Sequence, residues 1–182
     1  MIKNLLEKFM PKVGFKIGGY WNVVCKDKNG KIKWTEHVHN LVTNEGLNHI
    51  LDVVLHGATQ ITTWYVVPFN TNTTILATHT YASPGFTESS NYDESTRQEY
   101  DEAAASSQSI TNSASKATIT CSATETLYGC ALVGGGSAAS TKGDTAGGGT
   151  LLCAVQFSSS RSVEDDDSLD ITYTISAADD GS

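Results

Sequence analysis

The sequence predicts an all-β fold: an antiparallel β-sandwich of jelly-roll type with one capping helix and a short N-terminal arm. Three observations carry this. Period-two alternation of apolar and polar residues dominates from Gly19 onward. Two runs, Thr126–Val133 and Thr150–Phe157, are apolar at nearly every position, as strands covered on both faces are. Beyond the arm, helical spacing occurs only near 44–56, between strand-like segments. A chain of 182 residues can bury a real core, with about 70% of its unfolded surface leaving water. The expected organisation is an arm over residues 1–18 and one sandwich body over 19–182.

In the arm, Ile2, Leu5, Leu6 and Phe9 fall at i, i+3, i+4 and i+7, the stripe of a short amphipathic helix that Pro11 stops. So short a helix is marginal alone and must dock on its own body or on a neighbour. No stretch here has the apolar length of a secretion signal core. Tyr20–Cys25 then reads as a strand, Asp27-Lys28-Asn29-Gly30 as a turn, and Lys31–Val38 as the returning strand. Ile32, Trp34 and Val38 share one face of that strand, and Lys31, Lys33, Thr35, His37 and His39 the other. The helix follows, with Thr43 or Asn44 as N-cap and Glu45 at its positive end. Leu47, Ile50, Leu51 and Val54 form its apolar stripe, expected to cover a sheet face or close its end, and His56-Gly57 stops it.

Ile61–Phe69 is rich in β-branched and aromatic residues. Residues 70–115 are Thr/Ser/Asn/Ala-rich and hold at best two short strands, near 96–100 and 109–112. Lys116–Ser122 alternates. The glycine-rich stretch 134–149 reads as a long flexible loop. The last strand places Leu169, Ile171, Tyr173 and Ile175 inward and Asp170, Thr172, Thr174 and Ser176 outward.

Composition excludes several classes. At 39% hydrophobic and 18% charged residues the chain is not a charge-driven disordered polymer. No apolar run approaches the roughly 20 residues a bilayer-spanning helix needs, so no membrane partner is expected. A net charge of −8 argues against nucleic acid as partner. The charge is uneven: residues 1–34 carry eight Lys and two acids, whereas residues 35–182 carry four bases and 18 acids. A basic front on an acidic body suits one side meeting something negative.

No motif carries catalytic chemistry, and neither enzyme activity nor a cofactor is expected. Around Gly134-Gly135-Gly136 and Gly147-Gly148-Gly149 there is no Lys-Ser/Thr following the last Gly, so a phosphate loop fails. Gly135-Gly136-Ser137-Ala138-Ala139 lacks the second Gly of a nucleophile elbow. His37 and His39 form an HxH pair, but neighbouring Lys31 and Lys33 disfavour a bound cation. Glu164-Asp165-Asp166-Asp167, with Asp170, reads as a solvated turn rather than a calcium loop. Glu99 and Asp101 show nothing of a glycosidase pair held across a cleft. Cys25, Cys121, Cys130 and Cys153 fit no zinc spacing and sit in strand-like runs as small hydrophobes. Reduced thiols are the default, with a Cys121–Cys130 bridge across a hairpin left open.

Two stretches resemble known proteins. One runs Trp21-Asn22-Val23-Val24-Cys25-Lys26-Asp27 through Trp34 to Asn40-Leu41-Val42-Thr43-Asn44-Glu45-Gly46-Leu47-Asn48-His49-Ile50-Leu51-Asp52. The other runs Leu151-Leu152-Cys153-Ala154-Val155-Gln156-Phe157-Ser158 through Arg161-Ser162-Val163 to Asp167-Ser168-Leu169-Asp170-Ile171-Thr172-Tyr173-Thr174-Ile175. Together they resemble a family of small virion structural proteins of tailed bacteriophages, in which a hairpin, an Asn-rich turn, a capping helix and a C-terminal strand pair recur. Residues 70–115 lie outside the resemblance. None of its motifs is catalytic.

The resemblance implies a head decoration or minor tail protein. The leading expectation is a capsid decoration (cement) protein that binds the outer shell and bridges major capsid protein subunits, found on the virion and assembled in the host cytoplasm. Clustering round a symmetry axis, most often as a homotrimer, would let weak contacts add. The expected shell contacts are Lys3, Leu5, Leu6, Phe9, Lys12 and Lys16 of the arm and Lys31 and Lys33 of the hairpin. The alternative is a tail or fibre protein whose loops at 70–95 and 134–149 touch host glycans, with Trp64, Tyr81, Phe86 and Tyr92 as stacking aromatics.

Overall fold

A computed structural model describes residues 15–179. The expected arm helix, with Lys3, Leu5, Leu6, Phe9 and Lys12, lies outside the described residues. Two antiparallel five-stranded sheets face each other. The first holds β1 (Phe15–Lys26), β2 (Ile32–His39), β6 (Ser109–Thr111), β7 (Ala117–Thr120) and β10 (Ser168–Asp179), in the order β2-β1-β10 with both β6 and β7 on the far side of β10. The second holds β3 (Leu41–Val42), β4 (Trp64–Phe69), β5 (Gln98–Glu99), β8 (Glu125–Gly134) and β9 (Thr150–Val163), in the order β3-β9-β8-β4-β5. The all-β architecture with one short helix is therefore as the periodicity predicts.

The first and last long strands are neighbours, paired from Phe15 opposite Asp179 to Lys26 opposite Ser168. The β1–β2 turn is held by Asp27, whose Oδ1 accepts from the amides of Asn29 and Lys31, both at 2.9 Å. Gly30 there takes φ 80°, a left-handed conformation that glycine adopts without steric cost.

Between the sheets lie Trp21, Val23 and Cys25 of β1, with Leu169, Ile171 and Tyr173 of β10. They meet Leu127, Cys130 and Leu132 of β8 and Cys153, Val155 and Phe157 of β9. Trp21 stacks on Tyr173 with ring centroids 4.4 Å apart. A second cluster occupies the other face of the β9-β8-β4 layer: Val67, Phe69, Ala131, Val133, Leu151 and Ala154, roofed by Ile75, Tyr81 and Phe86. Thus β8 and β9 are apolar on both faces because one side meets the opposite sheet and the other meets the long connection after β4.

The helix departs from expectation. Helix α1 (Asn44–Leu51) is capped by Thr43, whose hydroxyl accepts from the Gly46 amide at 3.0 Å, and a π-helical turn (Asp52–His56) extends it to Gly57 at φ 74°. Its contact with the sheet is made by Gly46, where a Cβ would come within 2.3 Å of the Leu152 carbonyl oxygen. That pins the glycine side to β9 and turns much of the apolar stripe outward. Leu47 is 39% exposed, Leu51 44%, Val54 72% and Leu55 79%, while Ile50 packs partly on the core.

Candidate docking end and the engaged polar clusters

Ile17 on β1 and Leu47, Ile50 and Leu51 on α1 line an apolar groove. Lys16, exposed, stands beside Ile17 at the start of β1, so the groove and the root of the arm share one end of the sandwich. The expected contacts Lys31 and Lys33 sit at the other end, beyond the β1–β2 turn. Ten residues of extended strand, about 33 Å, separate Lys16 from Lys26. Among the described residues, Lys16 and the pair Lys31 and Lys33 therefore lie at opposite ends of β1 and its hairpin. Lys31 is exposed, whereas Lys33 donates to Asp167 at 2.6 Å and lies 3.5 Å from Glu164. The hydrogen bond to Asp167 raises the Lys33 pKa, against the opposing effect of burial.

The acidic run is not wholly a solvated turn. Asp165 and Asp166 are exposed, and Asp166 takes φ 67°. Asp167 is 2% exposed and accepts from Lys33 and from the Glu164 amide at 2.8 Å. Glu36, on the face of β2 that carries Trp34 and Val38, is also buried. It pairs with Arg161 and accepts from the Ser158 hydroxyl at 2.9 Å. Glu45 turns inward and accepts from the amides of Tyr81 at 2.8 Å and Leu151 at 2.6 Å. The reading by alternation missed Glu36; its position between Trp34 and Val38 was the available clue, since i and i+2 share a face.

The 134–149 loop, expected to be simply flexible, is tied down from within. Arg97 is 4% exposed and donates to Glu88, to the Tyr81 hydroxyl at 3.1 Å, and to the carbonyls of Ala139 at 2.9 Å and Asp144 at 2.8 Å. Tyr81 in turn donates to Asp144 at 2.7 Å. Burial, with the Asp144 hydrogen bond adding, raises the Tyr81 pKa.

Tyr81 and Tyr92 are buried, and Trp64 and Phe86 are half-buried, Phe86 stacked on Phe69 at 4.5 Å. The four aromatics nominated for sugar stacking are therefore largely spent on packing. Glu99 and Asp101 are exposed. His37 and His39 are exposed beside Tyr20, with His ring centroids 6.5 Å apart, and His49 packs edge-on against Trp64. Among the described residues no group of three or more His, Cys, Asp or Glu could hold a metal.

All four cysteines are free and buried. Burial pushes the thiols of Cys25, Cys121 and Cys153 up to about 12, and that of Cys130 up as well. Such thiols are poor nucleophiles, since the thiolate is the reactive form. No helix among the described residues is long and apolar enough to cross a membrane. Neither the protein-family models nor the curated proteins compared with this chain match it.

Proposed function

We propose that the chain is a non-enzymatic capsid decoration protein of a tailed bacteriophage. It binds the outer shell through its arm end, bridges major capsid protein subunits, and acts as a homotrimer on the virion. The observation that carries the reading is the placement of the arm root, Lys16 and an exposed apolar helix face at one end of the sandwich. A basic, apolar-striped arm suits an acidic partner surface, and the acidic body would face outward and keep particles apart.

The polar interior agrees with a structural role. Glu36, Glu88 and Asp167 are each matched by a cation, and Glu45 by two backbone amides. These are the pairings of a scaffold, in which buried charge is neutralised rather than held ready for proton transfer. The sandwich is read as jelly-roll in type because β1 lies beside β10 in one sheet and β3 beside β9 in the other. The β1–β2 and β8–β9 hairpins, each kept within one sheet, depart from that pattern. The tail-fibre reading loses support from the burial of Tyr81 and Tyr92.

Pelleting with purified shells stripped of their own copies tests the proposal. The full chain should co-sediment saturably, and the chain lacking residues 1–12 should stay in the supernatant. Shell binding that survives the deletion would sink the role of the arm. Failure of the full chain to pellet would sink the decoration reading.

A further inference from the structure

Of the six large apolar side chains exposed among the described residues, four lie together on α1 and the π-helical turn: Leu47, Leu51, Val54 and Leu55. Leu47, Leu51 and Val54 recur at i, i+4 and i+7, a strip about 10 Å long. The groove beside this strip is walled on its other side by Ile17, two residues into β1. Fourteen residues precede β1, and they carry a stripe of the same length, Ile2, Leu5, Leu6 and Phe9.

We propose that residues 2–9 seat on this face in the same molecule, their apolar stripe against Leu47, Leu51, Val54 and Leu55 and the groove at Ile17 and Ile50. Reach permits it. The five residues Met10–Gly14 between that segment and β1 can span about 17 Å when extended, longer than the strip, and Pro11 ends a helix over residues 2–9. Charge agrees with it. Lys3 and Lys8 flank the arm's stripe, and Asp52 is exposed on the π-helical turn. Area favours the chain's own arm over a second copy. One short helix face is far below the roughly 800 Å² per partner of a stable interface between separate molecules. A tethered segment instead works at an effective concentration on the order of millimolar. Seated this way, the arm turns Leu5, Leu6 and Phe9 to the body in place of the shell contacts expected of them, and leaves Lys3 and Lys8 at the edges of the packed strip and Lys12 on the connection to meet the shell. This last consequence deepens the decoration reading by giving its shell-facing end a built, basic surface; the seating itself does not depend on that reading.

Hydrogen exchange over 44–57 in the free chain tests the seating without any shell present. Three forms are compared: the full chain, the chain lacking residues 1–12, and the double variant Leu5→Asp with Leu6→Asp. The variants alter no body residue, and unchanged exchange in β8 and β9 verifies the fold. The full chain should exchange about tenfold more slowly over 44–57 than either variant, equally at two protein concentrations about a hundredfold apart. Equal rates in all three forms would overturn the proposal. So would slowing that appears only at the higher concentration, which would assign the face to a second copy. A negative result here with shell pelleting intact would remove the seating alone, and the reverse pattern would remove the decoration reading alone.

Discussion

Arg97 lies across Glu88 with its Nε 3.0 Å from Oε1 and its Nη2 2.6 Å from Oε2, and both side chains are almost wholly buried. The same guanidinium reaches Ala139 and Asp144, so one residue ties the connection after β4 to the loop between β8 and β9. Removing one partner leaves a buried charge uncompensated. Arg97→Met should cost about 3–5 kcal/mol, read as a lower urea midpoint. Combined with Glu88→Leu, the loss should be less than the sum of the two single losses, because the variants share one interaction.

Gly46→Ala sets helix propensity against packing. Alanine favours a helix by about 1 kcal/mol over glycine, but its Cβ would meet the Leu152 carbonyl oxygen at 2.3 Å. Backbone cannot yield as a side-chain tip can, so the contact dominates and the variant should lose about 1–3 kcal/mol. A raised urea midpoint would show that α1 is not pinned to β9 through this residue.

These two sites also mark what the sequence makes legible. The strand alternation of β10, the Asp27–Gly30 turn and the Thr43 cap are local, and each follows from residues adjacent in the chain. The double-sided apolarity of β8 and β9 correctly marks their coverage on both faces, though not what roofs them. The orientation of α1 was not legible, because a stripe states which side is apolar and not which side touches protein. There the smallest residue, Gly46, sets the contact. Glu36, Arg97 and Asp167 look like surface charges in sequence, since their partners lie between 9 and 134 residues away.

Acid should weaken the loop clamp. The hydrogen bond from Tyr81 holds the Asp144 carboxyl below its ordinary 3.8, with the amides of Gly147 and Ala146 and the charge of Arg97 adding and burial opposing. Burial likewise opposes, but the hydrogen bond and charge of Lys26 prevail, in lowering Asp170. For a carboxyl lowered in the folded state, the stabilisation is present above the unfolded pKa and is lost as pH falls through the folded one. Urea midpoints should therefore decline below about pH 4, and Asp144→Asn should flatten that decline. An unaltered slope in the variant would count against the clamp.

Alkali should act through the thiols. Cys25, Cys121 and Cys153, pushed up to about 12 by burial, keep their protons in the folded state well past the ordinary thiol value of 9.0. Their contribution to stability is complete below 9.0 and is lost as pH rises towards the folded value. At about pH 8 an aromatic disulfide reagent should leave the native thiols unmodified and titrate all four in denaturant. Rapid reaction of any one of them in the native chain would contradict their placement in the core.

The proposal that this chain is a structural component of a phage head makes its gene a phage gene. Quantitative mass spectrometry of purified tailed-phage particles from the chain's source, separated into heads and tails, tests this most directly. The account predicts the chain in the head fraction at a fixed ratio to the major capsid protein. Its absence from purified particles, or its confinement to tails, would contradict the account.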